Sequence, residues 1–481
     1  MSEEIHKRID ELLKMPVTIE NYIELADNYI NIGAANEARN FYNLALEKTN
    51  NPNQKWYINQ KLACIFMGYG ETNTALGIWL ITHSMFPNRP ESMFHILNYI
   101  SKTNITDYTM FLHAIDNMKF TDEQYNGREN YIYEFGLSDK LLEVSHHDKR
   151  KDVGKHLINL LSNAPQLTNV AFNNYGKYSI MLTPEKYIDL SETLYYKNEN
   201  DGDLTKLYSS SPSIIKEKNG YFVNIRYVNY KLEDDGTFVG SDIGYVHNAN
   251  KAISLDEDFN IKDIHFISNP TDFSQYDNGP QDVRMWRKKT GDIIYSCTTI
   301  RKDNNKPWVA FGEYSNNGLQ SCKVINHNKE NVMCEKNWVF ADDERIIYSW
   351  SPIRVAKIVD DYLVFTEEIQ PPMPNFFKHF RGSSHGETYG DNEILFVTHL
   401  VYLSQPRIYY HCFVTLDSSS LQVKRYSYPF KLSEKNVEYC IGLIVEHNKI
   451  ILSYSVHDSS TFLAIYEKKH IESLLIKCSH M

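Results

Sequence analysis

Five stretches in the carboxy-terminal half set arginine, lysine, aspartate or histidine beside aromatic and β-branched residues: Asn224–Tyr230, Gln281–Trp286, Lys336–Phe340, Arg381–His385 and Val437–Leu443. Guanidinium groups grip anionic oxygens through paired hydrogen bonds, and lysine adds a point charge. The stretches start roughly 45 to 60 residues apart, about one four-stranded propeller blade. Charged side chains repeated at that interval can converge on one central pocket.

The elements that would position them are strands. From Ser211 onward the apolar period is two, as in Tyr221–Tyr230, Ile293–Ile300, Tyr362–Thr366, Ile408–Asp417 and Ile450–Val456. Turn signals such as Asp234-Asp235-Gly236 and Asp303-Asn304-Asn305 separate many of them. At about 50 residues per blade, residues 209–481 make five blades. The acidic pairs Asp342-Asp343 and Asp360-Asp361 fall at expected hairpin turns and read as solvated loops rather than metal ligands.

The first 161 residues instead carry helical periodicity. Tyr22, Leu25, Ala26, Tyr29, Gly33, Ala38, Tyr42 and Ala45 are followed by Leu62, Ala63, Phe66, Gly70, Ala75, Trp79 and Pro87. Both series resemble tetratricopeptide repeats, in which small residues let paired helices approach and large ones fill the groove. Residues 162–208 read as a linker with one helix over Pro184–Tyr196, Pro184 standing in its first turn. The expected architecture is a multidomain α + β chain: an α-helical, tetratricopeptide-like solenoid (1–161), the linker (162–208), then an all-β five-bladed propeller (209–481). The solenoid offers a docking groove for a protein partner or for self-association. His146-His147-Asp148 reads as a solvated turn.

Bulk properties narrow the partners. The 481 residues carry a net charge of −11, which argues against nucleic acid and anionic lipid. Seven cysteines without a CxxC pair give no zinc site, and no apolar run approaches the ~20 residues of a membrane span. With no apolar leader in MSEEIHKRIDELLK, the expected location is the cytoplasm. Phosphate-loop, dinucleotide and metalloprotease motifs are missing from the sequence.

Gly279-Pro-Gln-Asp282-Val-Arg284 followed by Gly291–Tyr295 resembles the Glu-Asp-Pro-Arg element of five-bladed propeller enzymes acting on β-mannosides, a family of glycoside phosphorylases and mannosyltransferases. Arg381-Gly-Ser-Ser384, Phe396–His399 and Arg407–Asp417 resemble a later blade of that family. The ordered set over about residues 209–470 is similar also to propeller domains of tetratricopeptide-repeat glycosyltransferases from bacteria and large DNA viruses. Gln281, Val283 and His385 depart from the mannoside pattern, which bears on the reaction more than on the fold.

The resemblance implies inverting sugar transfer, in which one carboxyl shuttles a proton at the acceptor or leaving oxygen. Asp282, matching the family aspartate, is the expected shuttle. Arg226, Arg284, Lys336, Arg354 and Arg381 would hold the anionic group of a nucleotide sugar or sugar phosphate. Asn229, Ser383, Ser384, His399, Tyr410 and His411 would add neutral hydrogen bonds, and Glu438 and Asp458 would accept from sugar hydroxyls. Trp286, Trp338 and Tyr230 could stack on sugar faces. No cofactor and no metal is expected. The leading expectation is a glycosyltransferase with a glycan acceptor. A phosphorylase or hydrolase using the same pocket is the alternative. A non-catalytic glycan- or protein-binding propeller is the second class, and Gln281 in place of a carboxylate leans toward it.

Overall fold

The computed structural model describes the chain except residues 1, 104–108, 117, 149–153, 165–171, 173–174, 177–178, 198–203, 241–245, 268–275, 302–305, 316–317, 328–333, 371–372, 404, 406 and 479–481. Two compact units emerge, Met1–Tyr175 and Gly176–Met481.

The first unit is helical. Ile19–Asn31 pairs with Ala35–Lys48, and Pro52–Gly68 with Thr72–Met85, with Glu91–Ile100 packed on the second pair. Thr18 caps the first of these helices, its Oγ1 accepting from the Asn21 amide at 3.1 Å. Gly33, at φ +80°, turns the chain between the first two. Ala26, Ala38, Ala45, Ala63 and Ala75 are buried at the helix contacts, as the small-residue pattern requires. His146–Asp148, expected in a turn, instead end the helix Leu137–Asp148, and their side chains lie outside the described ones.

The second unit is mostly β, and its described residues form five sheets of four or more strands, whose strand pairs are antiparallel except Ile180–Met181 with Phe430–Lys431. Sheet I spans Thr193–Lys197 to Ile261–Ile267. Sheet II runs from Tyr276–Arg287 to Lys323–Val324, and sheet III from Val339–Phe340 to Tyr362–Ile369. Sheet IV centres on Glu393–Tyr402 and Ile408–Asp417, and sheet V on Glu438–Val445, Lys449–Val456 and Ser460–Glu467.

Apolar side chains join each sheet to the next. Phe222 and Ile215 pack with Val283 and Met285 between I and II, and Phe311 with Phe340 and Ile346 between II and III. Trp350 meets Phe396 between III and IV. Leu395 and Phe413 pack with Leu443 and Leu452 between IV and V. Ile214 and Tyr221 pack with Ile444 and Ile451, so the fifth sheet returns to the first.

The expected helix over Pro184–Tyr196 does not form. Lys186–Asp189 is a strand of sheet V, paired with Phe462–Ile465, and Thr193–Lys197 is a strand of sheet I. The partner of the first lies more than half the chain away, so no local pattern reveals it. The polar run after Lys197 lies outside the described residues, as does the expected turn over 303–305. Asp342–Asp343 and Asp360–Asp361 do sit between strands, Asp342 accepting from the amides of Glu344 and Arg345. Among the described residues, no helix is long and apolar enough to cross a membrane.

Candidate functional site

Segments from sheets I, II, IV and V, with the stretch leading into sheet III, meet around a cavity of about 180 Å³. Its wall holds Arg226, Asp282, Lys336, Arg381, His399 and Asp458 from the expected set, with Tyr230. A bulge in the Tyr276–Arg287 strand separates Gln281 from Arg284 in register and re-aims Asp282. Similar irregularities at Ser210/Pro212 and Cys440/Gly442 interrupt sheets I and V beside Ser211 and Tyr439, which also line the wall. Asp282, Asn337, His457 and Asp458 all have left-handed backbone, at φ +51°, +67°, +56° and +48°. Such conformations are uncommon outside glycine and concentrate where the surrounding structure enforces them.

Asp282 Oδ1 accepts from Arg226 Nη1 at 2.9 Å. Arg226 is itself fixed by Nε, which donates to Asn248 Oδ1 at 2.7 Å. Burial opposes ionisation of Asp282, but Arg226, Arg284, the Ser211 hydroxyl and Lys336 outweigh it and hold the carboxyl below its ordinary range. Asp458 has the opposite balance. Burial raises its carboxyl above the ordinary range, despite Arg226 and hydrogen bonds from Ser210 and Tyr230. Two carboxyls in one cavity are thus driven apart.

His399 is buried, its Nδ1 3.0 Å from Ser383 Oγ. Burial, and then His411, Arg381, Arg284 and Lys336, hold it well below the usual imidazole range, so it is a neutral hydrogen-bonding group. Lys336, Arg381 and Arg407 line the cavity with no hydrogen-bonded or ion-paired side chain among the described residues. These three cations face the Arg226–Asp282 pair.

Other expected residues are used elsewhere. Arg284 is buried behind the wall, donating to the carbonyls of Ser383 at 2.7 Å and Asp282 at 3.2 Å and to Asn337 Oδ1 at 3.2 Å. Arg354 is half-exposed and pairs with Glu368 at 2.8 Å, remote from the cavity wall. Asn229 accepts from the His247 amide at 3.0 Å and shapes a loop. Ser384 Oγ accepts from the Val397 amide at 2.9 Å, and Ser383 serves through His399. Glu438 is consumed by the amides of Leu432 and Ser433, each at 2.7 Å, and is fully buried. His411 is buried beside it, accepting from the Cys440 amide at 3.3 Å. Trp338 is core, donating to Glu335 at 2.9 Å.

Tyr410 points to the opposite face of its strand from Tyr409, and Tyr409 lines the cavity. Sequence reading passed over Tyr409, Arg407, Asn337, Tyr439, His457 and Ser211. The first four sit in or beside the quoted motifs, and strand parity is the signal that separates Tyr409 from Tyr410.

Trp286 belongs to a second cavity of about 660 Å³, lined also by Arg287, Asp343 and Glu387. It is the larger space. Yet its wall carries none of the expected catalytic or anion-binding residues, and Arg287 and Arg345 there already pair with Glu217 and Asp342.

No family model and no curated protein matches the chain. In structure it is similar to a β-1,2-mannobiose phosphorylase from Listeria innocua, at 11% identity and a TM-score of 0.40, over 59% of this chain and 99% of that one. It is similar also to a mannose phosphorylase from Leishmania mexicana solved with phosphate ion, at 11% identity and 0.34, over 55% and 84%. A glycosyl hydrolase from Bacteroides ovatus gives 12% and 0.38, over 57% and 89%. Likeness at this level assigns no chemistry, and the functional reading rests on the side chains.

Proposed function

We propose that the second unit is a five-bladed β-propeller carrying a carbohydrate-active site, which moves a glycosyl group with inversion between a sugar oxygen and a phosphate oxygen. The observation that carries this reading is the cation set. Lys336, Arg381 and Arg407 face the Arg226–Asp282 pair with no hydrogen-bonded or ion-paired side chain of their own among the described residues. A space of about 180 Å³ is smaller than the ~300–1,000 Å³ usual for small-molecule sites. It suits inorganic phosphate beside a sugar ring better than a nucleotide diphosphate, so phosphorolysis is favoured over the nucleotide-sugar transferase expected from sequence. The substrate class, β-mannosides, follows from the resemblance of the Gly279–Arg284 run. The helical pairs are read as tetratricopeptide-like repeats, offered to a protein partner or a second copy.

In this reaction a phosphate oxygen attacks the anomeric carbon opposite the leaving oxygen. The new carbon–oxygen bond forms as the glycosidic one breaks, and the leaving oxygen takes a proton. Phosphate is already an anion and needs no base. Asp282 is retained as a site residue that holds Arg226 and accepts from a sugar hydroxyl. Incubating the protein with β-mannosides and phosphate, and measuring sugar 1-phosphate, tests the proposal. Release should require phosphate and fall at least a hundredfold in Asp282→Asn. Release of free sugar without phosphate would point to hydrolysis. No turnover, with glycan retained on the protein, would favour the binding reading.

A further inference from the structure

We infer that Asp458, beyond the hydroxyl-accepting role that its sequence position suggests, is the group that protonates the departing sugar oxygen. This rests on the phosphorolysis reading and extends it by one residue and one step.

Asp458 sits with His457 at the turn between Lys449–Val456 and Ser460–Glu467, the last hairpin of sheet V, and reaches the same cavity as Asp282. The two carboxyls divide the local hydrogen bonds unequally. Asp282 takes the direct ion pair with Arg226 at 2.9 Å. Among the described residues Asp458 has no such pair. Its Oδ1 accepts from Ser210 Oγ at 2.7 Å, and the Tyr230 hydroxyl is its other neutral partner. The charged groups bearing on it are Arg226 from sheet I and Asp282 from sheet II, and these oppose each other. Burial is the largest influence and raises its carboxyl above the ordinary range. Two carboxyls whose surroundings separate them in this way divide acid and base work between them.

The left-handed backbone at Asp458 supports a role other than folding. Asparagine and glycine occupy φ +48° at no greater steric cost, so the backbone of the turn does not require an aspartate there. In phosphorolysis the Asp458 proton moves to the glycosidic oxygen as the carbon–oxygen bond breaks. The resulting carboxylate regains a proton from water after product leaves. In the synthetic direction the same carboxylate takes the proton of the acceptor hydroxyl.

The test compares two leaving groups. A β-mannobioside leaves as an alkoxide and needs the proton. A 2,4-dinitrophenyl β-mannoside leaves as a stabilised phenolate and does not. Asp458→Asn and Asp458→Gly should each lose about 100-fold or more on the first, the usual worth of a general acid, and less than tenfold on the second. The basic limb of the pH profile for the first substrate should disappear in both variants. Melting temperatures within a few degrees of wild type, expected most clearly for the asparagine variant, which keeps an Oδ1 to accept from Ser210, exclude a folding defect. Equal losses on both substrates in a folded variant overturn the assignment and leave the phosphorylase reading standing. A wild-type protein that turns over neither substrate overturns both.

Discussion

Arg284 Nε donates to the carbonyl of Ser383 at 2.7 Å, joining residues 99 apart in the chain. The same guanidinium reaches Asn337 Oδ1 at 3.2 Å and the Tyr439 hydroxyl at 2.5 Å. One buried side chain therefore ties the Tyr276–Arg287 strand to segments of three other sheets immediately behind the cavity.

Arg284→Lys should show what that tie is worth. A point charge cannot serve three separated acceptors as a planar fork does. Hydrogen bonds to charged groups are worth ~1.5–3 kcal/mol each, so a loss of about 3 kcal/mol in urea unfolding is expected. A change below about 0.5 kcal/mol, the usual level for an uninvolved surface position, would show the network to be idle.

Lys336, Arg381 and Arg407 should behave differently. With no hydrogen-bonded or ion-paired side chain to lose among the described residues, Arg381→Ala and Arg407→Ala should keep the melting temperature within a few degrees. The phosphate concentration for half-maximal rate should rise tenfold or more. Unchanged phosphate dependence in both variants would remove the anion site from the proposal.

Asp282 links the site to acid stability. Its carboxyl is depressed in the folded protein, chiefly by Arg226 acting against burial. Its stabilising contribution is therefore complete above the ordinary aspartate value of about 3.9 and is lost as pH falls through the lower folded value. Asp282→Asn should flatten that part of the stability–pH curve and leave Arg226 without its countercharge at neutral pH. Parallel curves for variant and wild type between pH 2 and 5 would contradict this.

Glu387, in the larger cavity, predicts the opposite slope. Burial raises its carboxyl to about 8, offset only by the Val445 backbone. Between about 4.3, the unfolded value, and 8 the folded protein holds a proton that the unfolded chain has released, so stability declines as pH rises. Glu387→Gln should melt higher than wild type at pH 8 and about equally at pH 4. The same difference at both pH values would mean that Glu387 is ionised throughout.

Much was legible in the chain itself. Period-two runs set against helical periodicity separated a β-rich half from a helical one, because apolar spacing follows the geometry of the element that buries it. The five charged stretches, spaced for successive sheets, delivered Arg226, Asp282, Lys336 and Arg381 to one wall, where His399 and Asp458 join them. Their types gave that wall its positive side chains.

Tertiary structure decided the rest. Whether Tyr409 or Tyr410 faces the cavity depends on strand register, and whether Asp282 does depends on a bulge. Arg354 and Arg407 look alike in sequence, yet Glu368 claims the first and nothing among the described residues claims the second. Lys186–Asp189 is a strand only because Phe462–Ile465 lies alongside it. Residue types set what chemistry is available. Which group is free to perform it depends on partners that only the folded chain brings within hydrogen-bonding distance.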